Sequence, residues 1–533
     1  MTSPHPALPT DRANLLAQTQ THDSYDLAII GGGATGVGIA LDAAVRGFSV
    51  LLVEAEDFAK GTSSRSTKLV HGGVRYLAQG NVPLVREALH ERAAILHNAP
   101  HLAQPLAFLM PCYRRWQLPF YWTGLKLYDA LAGKQGLGRT EVRSASQTQV
   151  DLPNVLRSGL LGSVKYWDGQ FDDARLALAL ARTAAAHGAH LLNHCRVTEI
   201  NHRDGKVQGL QLQDTEGHQT WSIKARCVVN ATGVWVDALR AQDDASAQRE
   251  TQAMVTPSQG VHVVVDREFM PGEHALIVPK TSDGRVLFAV PWLGKVILGT
   301  TDTARPHADL EPQPLKEEFD FILREASVHL QRAPGHQDVR SIWVGLRPLV
   351  KPVTSHHKGQ ATKGLSREHT IVTSASGMVT VTGGKWTTYR VMAHDTLEHC
   401  FTEGLLARQG QDKTADWLLI GAQAQGPVTR KLSEPPSLAQ YGDEQAFVQA
   451  LPGARNWLTP ELSEAMVRFA VKHEYARTVE DVLARRHRLL FLDAQAAEHI
   501  APAVAEIIRS ETGQDPDMQA FQMLAKQYRT LPT

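Results

Sequence analysis

The chain has 533 residues, of which 43% are hydrophobic, and its 55 Lys and Arg residues balance 55 Asp and Glu residues. This length predicts roughly two to four domains with cores of ordinary size. The zero net charge argues against a nucleic-acid-binding protein with a broad basic surface, although it is compatible with a small, local anion site. The four widely separated cysteines predict neither a metal site nor a disulfide framework.

The amino-terminal residues 1–24 are polar and lack the apolar core of a signal peptide, so we predict a disordered tail there. No apolar run along the chain reaches the ~18–20 residues that a transmembrane helix needs. We therefore expect a cytoplasmic protein.

From Tyr25 onward the sequence predicts a strand, a glycine-rich turn, a helix and a second strand that ends at Glu54. In a GxGxxG turn the first glycine permits the bend, the second lets backbone amides approach a pyrophosphate, and the third lets helix pack on strand. An acid at the end of the second strand suits a ribose diol. The pattern predicts dinucleotide binding, without separating NAD from FAD, through Gly31, Gly32, Gly33, Thr35, Gly36 and Glu54.

Two further segments favour a flavin over a nicotinamide. The Ser/Thr-rich stretch 61–77 offers hydroxyls and backbone amides where a nicotinamide enzyme would more often continue with a plain βα unit. The apolar run 225–235 contains an Ala-Thr-Gly turn that could return the chain to the cofactor, although an ordinary strand and turn is the alternative. The candidate residues are Thr62, Ser63, Ser64, Ser66, Ala231, Thr232 and Gly233.

Aromatic and basic residues alternate in the stretch RRWQLPFYWTGLKLYDALAG (114–133). Such a stretch suits an amphipathic anchor at a membrane surface. A helix packed on its own protein core is the alternative. The sequence does not separate the two.

Short β-rich runs separated by turns fill residues 255–302 and predict an antiparallel meander. Four cations stand in glycine-rich or apolar surroundings, where an unpaired charge is costly. A phosphate ester would suit them as a shared partner, and nearby acids are the alternative. They are Arg75, Arg347, Arg367 and Lys385.

Helical spacing of apolar residues predicts an all-helical domain over 408–533 without a catalytic constellation. Thr478 and Asp481 resemble a capping box. The run from Arg485 to Arg488 is typical of a solvated helix end. A cap on the catalytic domain and a dimer contact are the two roles that we consider for this domain.

Eight segments carry a family resemblance: GGGATG (31–36), TSSRSTKLVHGGVRYL (62–77), YWDGQFDDARLALALA (166–181), VVNATGVW (228–235), GVHVVV (260–265), PWLGKVILGTTD (291–302), GLRPLV (345–350) and TGGKWTTYR (382–390). In this order they resemble the aerobic, respiratory FAD-dependent glycerol-3-phosphate dehydrogenases, within the D-amino-acid-oxidase-like flavoproteins. The resemblance covers residues 25–390, and the helical carboxyl-terminal part also fits it.

The resemblance implies an α/β fold with three parts. An FAD-binding, Rossmann-like domain would carry an inserted, mainly antiparallel β substrate domain, and an all-helical domain would follow. The oxidoreductase region would span 25–407, with FAD-binding parts at about 25–100, 160–240 and 370–407. FAD would also contact Val197 and a closing segment at a helix N-terminus, formed by Gly384, Lys385, Trp386 and Thr387. Thr387 as the helix N-cap is compatible with that role.

The implied activity is oxidation of sn-glycerol 3-phosphate to dihydroxyacetone phosphate, by hydride transfer to FAD, with electrons passed to a membrane quinone. Peripheral attachment through 114–133, on the cytoplasmic face of the inner membrane, would give access to that quinone. Substrate binding is assigned to Arg75, Tyr76, Arg347, Arg367 and Lys385. The catalytic candidates are Arg347, Lys385, His262 and His71. Lys385 would stabilise the alkoxide or, if burial lowers its pKa, accept the proton, and the two histidines are rival bases.

Three other functions remain open at this stage. The same fold could serve a glycerol-3-phosphate oxidase that uses oxygen, or an amine or amino-acid oxidase, which would need fewer cations. A flavin-bound assembly or sensor protein without turnover is the third. A homodimer is possible, and we expect no metal.

Overall fold

The computed structural model describes residues 10–77, 81–246, 248–351, 368–422 and 430–532. Within these ranges two large sheets face one cavity, and a helical carboxyl-terminal region packs on the second sheet. None of the described helices is both long and apolar enough to cross a membrane.

The first sheet contains β1 and β2, the two strands beside the glycine-rich turn. Its centre is parallel, in the order β17-β18-β10-β1-β2-β7, with only β17 antiparallel to its neighbour, and a β8–β9 hairpin extends it from β10. Parallel strands covered by helices form the architecture expected from the opening strand-turn-helix-strand pattern. Its described strands are β1 (Tyr25–Ile30), β2 (Val50–Val53), β7 (His190–Leu192), β8 (Cys195–Arg203), β9 (Lys206–Asp214), β10 (Thr220–Asn230), β17 (His369–Thr373) and β18 (Val379–Gly383).

The second sheet is mainly antiparallel, as expected for the substrate domain, and only β12 and β4 pair in parallel. It extends further along the chain than the meander at 255–302, because β3, β4 and β6 belong to it although they lie within or beside the expected FAD-binding parts. The described strands are β3 (Leu69–Val70), β4 (Ala103–Cys112), β5 (Glu141–Ser144), β6 (Gly162–Phe171), β11 (Val255–Asp266), β12 (Ala275–Val278), β13 (Leu287–Trp292), β14 (Lys295–Gly299), β15 (Thr303–Ala304) and β16 (Val339–Val350).

The helices cover the sheets and form the carboxyl-terminal region, which also holds the hairpin β19 (Trp457–Thr459) and β20 (Leu462–Ser463). In the described residues they are α1 (Arg12–Thr21), α2 (Ala34–Val45), α3 (Val74–Leu77), α4 (Val82–Asn98), α5 (Gln117–Ala132), α6 (Ala145–Asp151), α7 (Asp173–Ala186), α8 (Val236–Ala245), α9 (Lys316–His329), α10 (Tyr389–Thr402), α11 (Gln445–Ala450), α12 (Glu464–His473), α13 (Leu489–Leu492), α14 (Ala494–Thr512) and α15 (Met518–Arg529).

The predicted disordered tail is wrong for residues 12–21, which form α1. Asp11 caps this helix by accepting the Asn14 amide at 2.8 Å. Arg12 is buried, pairs with Asp214 at 2.5 Å and donates to the Asn193 carbonyl at 2.9 Å. A polar segment can fold when its charges find partners, and these partners lie about 180 to 200 residues away, beyond the reach of a local pattern.

The carboxyl-terminal helices share one core with the second sheet, since Trp292 and Trp343 pack among their apolar side chains. The capping box at Thr478 is present: Asp481 accepts the Thr478 amide at 3.0 Å, and the Thr478 hydroxyl accepts the Asp481 amide at 3.1 Å. The prediction of a solvated helix end at 485–488 is wrong, because all four side chains are buried. They are engaged by acids and backbone carbonyls of other elements.

Candidate active site

The glycine turn between β1 and α2 is held by close backbone packing. Gly31 has φ +111°, and a Cβ there would lie 2.7 Å from the Ala231 carbonyl oxygen. A Cβ on Gly36 would lie 1.9 Å from the Gly31 carbonyl oxygen. Both positions therefore require glycine, and α2 approaches β1 as closely as the GxGxxG spacing predicts.

Glu54 stands at the end of β2 and holds the same turn. Its carboxylate accepts the Gly32 amide at 2.7 Å and the Glu56 amide at 2.9 Å, while burial raises its pKa. The acid lines the cavity. Each of its oxygens can accept further hydrogen bonds, as the expected contact with a ribose diol requires.

The hydroxyl-rich segment Gly61–Thr67 runs between the two sheets. Thr62 donates to the Leu346 carbonyl on β16 at 2.6 Å, and Ser63 accepts the Ala34 amide at the start of α2 at 2.9 Å. Ser66 donates to Asp173 at 2.7 Å. The segment thus ties the start of α2 to the second sheet.

One cavity of about 660 Å³ joins the two sheets. Three other predicted cofactor residues, Gly32, Gly36 and Ser64, do not line it, and the Ser64 carbonyl accepts hydrogen bonds from Lys68 and Arg488. The predicted cofactor residues that line it are Gly31, Gly33, Thr35, Glu54, Thr62, Ser63, Ser66, Val197, Ala231, Thr232, Gly233, Gly384, Lys385, Trp386 and Thr387.

The segment after β18 closes the cavity at a helix N-terminus. Gly383 and Gly384 have φ values of +86° and +68°, and a 3₁₀ turn from Trp386 to Thr388 leads into α10. The Trp386 indole donates to the Ser63 carbonyl at 2.8 Å. Thr387 lies inside the 3₁₀ turn and is not an N-cap; Thr388 holds that position and makes no side-chain capping bond.

Arg347 projects from β16 into the cavity. Its guanidinium donates to the Thr301 carbonyl at 3.0 Å and approaches the Asp302 carboxylate at 3.5 Å. Arg347 is paired with Ser258 on β11, and two residues further along that strand is Gly260, where a Cβ would lie 2.5 Å from a guanidinium nitrogen. Residues 299–302 (GTTD) therefore orient Arg347. Its guanidinium faces the cavity, as a shared phosphate partner would require, and it also lies beside an acid, as the alternative interpretation expected.

His262 and His71 line the same cavity. The His262 ring is buried, stacks on Trp343 with centroids 4.1 Å apart, and has Nε2 3.0 Å from the Thr67 hydroxyl. Burial, together with the nearby charges of Lys68 and Arg347, holds the pKa of His262 well below its usual value. His262 is therefore a neutral imidazole at neutral pH.

The remaining substrate-site predictions have different outcomes. Lys385 lines the cavity with Arg347 and the two histidines. Arg75 and Tyr76 belong to α3, but their side chains fall outside the described structure. Arg367 also lies outside the described residues.

Several residues at the site were missed from the sequence. Thr67 contacts His262, and Arg65 lines the cavity and pairs with Glu311 at 2.5 Å. The Ser/Thr-rich signal at 61–77 already pointed to the first of them. Trp343 and Lys68 carried no signal, because an apolar run and an isolated lysine do not show what they pack against.

Helix α5 occupies most of the 114–133 stretch. Leu125 and Tyr128 on it are buried. In contrast, Trp116 is 53% exposed and Phe120 is 64% exposed. The helix therefore packs on the protein with one face and presents an aromatic face outward.

Two family models match the chain. One, described as FAD dependent oxidoreductase, matches residues 26–390. The other, described as the C-terminal domain of alpha-glycerophosphate oxidase, matches residues 413–519. Their order along the chain is that of the two sheets followed by the helical region.

Relatives align over nearly the whole chain. A probable mitochondrial glycerol-3-phosphate dehydrogenase of Caenorhabditis elegans is 41% identical, over 97% of this chain and 74% of its own length. The mitochondrial glycerol-3-phosphate dehydrogenase of Homo sapiens is 40% identical over 95% and 73%. Among solved structures, the glycerol-3-phosphate dehydrogenase of Bacillus halodurans complexed with FAD superposes with a TM-score of 0.77 at 30% identity, over 97% of this chain and 98% of that chain.

Proposed function

The chain belongs to the family of FAD-dependent glycerol-3-phosphate dehydrogenases, and on that premise we propose that it oxidises sn-glycerol 3-phosphate to dihydroxyacetone phosphate and passes the electrons to a membrane quinone. The observation that carries the proposal is the shared cavity. The glycine turn, Arg347, Lys385 and both candidate bases line it together.

FAD is the cofactor, and the described residues fit it. Close backbone packing at Gly31 and Gly36 fixes the shape of the turn, Gly31 and Gly33 line the cavity, and the cavity extends from there towards the start of α10. We assign the pyrophosphate to the turn and the segment Gly61–Thr67, the ribose to Glu54, and the isoalloxazine to Gly384–Thr387. When bound, FAD supplies the acceptor for a hydride.

Arg347 anchors the phosphate of the substrate in this proposal, because a guanidinium can donate two parallel hydrogen bonds to a phosphate ester. Its contacts with Thr301 and Asp302 fix its direction. Lys385 stabilises negative charge on the C2 oxygen as its proton leaves. Arg75, Tyr76 and Arg367 remain proposed members of the same pocket.

We assign acceptance of the hydroxyl proton to His71. A base becomes cationic when it takes the proton, and at His262 that charge would be buried beside Lys68 and Arg347. His262, bonded to Thr67 and stacked on Trp343, instead shapes the wall as a neutral ring. Replacing each histidine with glutamine tests the assignment. The measurement is the rate of anaerobic flavin reduction as a function of pH. The decrease of this rate at acidic pH should disappear in H71Q and persist in H262Q.

Helix α5 supports the membrane part of the proposal. Its outward face carries exposed Trp116, Phe120 and Trp122, and Lys126 lies 6.0 Å from the Trp122 ring centroid. Aromatic and basic side chains of this kind suit the headgroup region of a lipid surface, from which a quinone is reached. We therefore propose that the enzyme attaches peripherally to the membrane.

Anaerobic titration tests the reaction. Glycerol 3-phosphate should bleach the yellow flavin, whereas glycerol and amino acids should not. Bleaching by amino acids alone would overturn the phosphate assignment. A quinone analogue should then reoxidise the flavin faster than air does, and rapid peroxide formation in air would favour the oxidase instead.

Vesicle pelleting tests the aromatic face. Changing Trp116 and Trp122 to Ser should release the protein from vesicles of anionic phospholipid, while its activity with a soluble quinone analogue stays the same. Trp457 is equally exposed, at 53%, but lies in the carboxyl-terminal region, so W457S is the matched control. Equal pelleting of both variants would remove α5 from the proposal.

A further inference from the structure

The segment Glu480–Arg488 of the carboxyl-terminal region lies along the segment Asp57–Lys68 of the cofactor domain. Asp57 accepts hydrogen bonds from Arg485 and Arg486, one of them from Arg486 at 3.0 Å. Lys60, which lines the cavity, lies 3.1 Å from Glu480. The two segments are more than 400 residues apart in sequence and contact each other repeatedly.

The third contact lies directly behind the cofactor wall. The carbonyl oxygen of Ser64 accepts hydrogen bonds from Arg488 and from Lys68, both at 2.7 Å. Asp173 joins the two cations, at 3.2 Å from Arg488 and 2.7 Å from Lys68, and also accepts the Ser66 hydroxyl at 2.7 Å. The backbone between Ser63 and Ser66 is thus held from behind.

The cluster of Lys68, Asp173 and Arg488 is buried, and two of its residues have a left-handed backbone. The side chains of Lys68, Asp173 and Arg488 are at most 1% exposed, so their charges depend on one another for compensation. Lys68 has φ +64° and Arg488 has φ +74°, a left-handed conformation that side-chain-bearing residues rarely adopt. Such backbone persists where surrounding contacts determine it, and these two residues meet at one carbonyl.

What the cluster holds is the wall of the FAD cavity. Thr62, Ser63, Ser66 and Thr67 flank Ser64 and line that cavity. We propose that Arg488 is a positioning residue that fixes the segment Gly61–Thr67 in its FAD-binding conformation, so that the carboxyl-terminal region forms part of the cofactor site. The proposal rests on the placement of FAD in this cavity given above.

The alternative is that Arg488 only links the carboxyl-terminal region to the cofactor domain, without affecting FAD binding. Arg182 also crosses between them, as a buried arginine with two bonds of 2.6 Å to Glu444, and it does not line the cavity. If Arg488 only joins the regions, its loss should resemble the loss of Arg182. If it positions the cofactor segment, the loss of Arg488 alone should weaken FAD binding.

The experiment measures the FAD dissociation constant of the full chain by flavin fluorescence, alongside thermal unfolding without FAD. R488M should raise the dissociation constant about 10- to 100-fold, as expected for lost hydrogen bonds to a charged donor. R488K, which keeps the charge and one donor, should be intermediate. R182M should lower the unfolding temperature but change the dissociation constant by less than about threefold.

Equal weakening of FAD binding by R182M and R488M would overturn the proposal, as would unchanged binding in R488M. If R488M does not fold, R488K decides in the same way. G33V, which places a side chain in the turn, separates this outcome from a failure of the FAD placement itself. Normal FAD binding in G33V would refute the placement, whereas weak binding in G33V with unaffected R488K would refute only the role of Arg488.

Discussion

The glycine turn 31–36 and the segment Glu480–Arg488 support the same FAD site by opposite means. The turn relies on close backbone packing, of Gly36 against Gly31 nearby in sequence and of Gly31 against the distant Ala231, and it requires the absence of side chains at both glycines. The second segment relies on large charged side chains whose partners in the cofactor domain lie more than 300 residues away. Local geometry leaves a pattern in the sequence, whereas buried charge pairing across a fold does not.

The largest effect is expected in the turn. An alanine Cβ at Gly36 would lie 1.9 Å from the Gly31 carbonyl oxygen, so either α2 or the turn must move. We expect G36A to lose FAD by roughly 100-fold or more in affinity, measured by flavin fluorescence. G124A is the control, because a Cβ at Gly124 on α5 meets nothing within 4 Å. Normal FAD binding in G36A would show that the turn can accommodate a Cβ at this position and would contradict the prediction.

Arg347 is proposed to bind the substrate and not the cofactor. Its removal leaves the turn and the segment 480–488 intact, so R347M should retain FAD. Loss of a partly buried charged contact should lower kcat/KM for glycerol 3-phosphate by about 100- to 1,000-fold. R340M is the control, since Arg340 stands on the same strand, is exposed and pairs with Asp266 instead. Loss of FAD from R347M would contradict the division between the two sides of the cavity.

Acid should lower the free energy of unfolding through His487 in the segment 480–488. This effect should be smaller than those of G36A and R347M. Burial lowers the pKa of His487 to about 4, below the ordinary value of 6.5. The unfolded chain therefore binds the proton first as the pH falls below 6.5, and stability decreases from there down to about pH 4. At pH 5 this group should cost about 2 kcal/mol of the free energy of unfolding, at ~1.4 kcal/mol per pH unit.

Urea unfolding at pH 7.5 and pH 5 measures this difference. H487Q should lose about 2 kcal/mol less than the unmodified protein on acidification, because glutamine does not titrate while its amide can still donate to the Glu461 carbonyl. H499Q, at an exposed position on α14, should behave like the unmodified protein. The same acid sensitivity in H487Q would remove His487 as a cause.

Much of the site could be predicted from short segments. Four predicted segments line the cavity: the glycine turn, the acid at Glu54, the Ala-Thr-Gly turn at 231–233 and the helix start after Gly384. They were predictable because each depends on local backbone geometry. The mainly antiparallel second sheet was expected as well, although β3, β4 and β6 joined it from outside the meander. Strand pairing between distant segments is not encoded in the periodicity of either one.

The errors share one cause. Residues 12–21 look like a polar tail and Arg485–Arg488 look like a solvated helix end, yet Arg12, Arg485, Arg486 and Arg488 are buried against acids and carbonyls of other elements. A polar residue is expected to be exposed, but it can be buried when the fold places an acid or a carbonyl beside it.

Local patterns were enough to predict the dinucleotide turn, the order of the domains and the cations and histidines available to the site. Glycine spacing and hydrophobic periodicity act over a few residues and so remain visible in a linear string. Other properties exist only in the folded chain: which charges are neutralised in the interior, the direction of Arg347, the neutral state of His262, and the packing of the carboxyl-terminal region behind the FAD wall. These properties depend on burial and on the distances between atoms far apart in the chain, because electrostatic free energies are set by the surroundings and not by the residue alone.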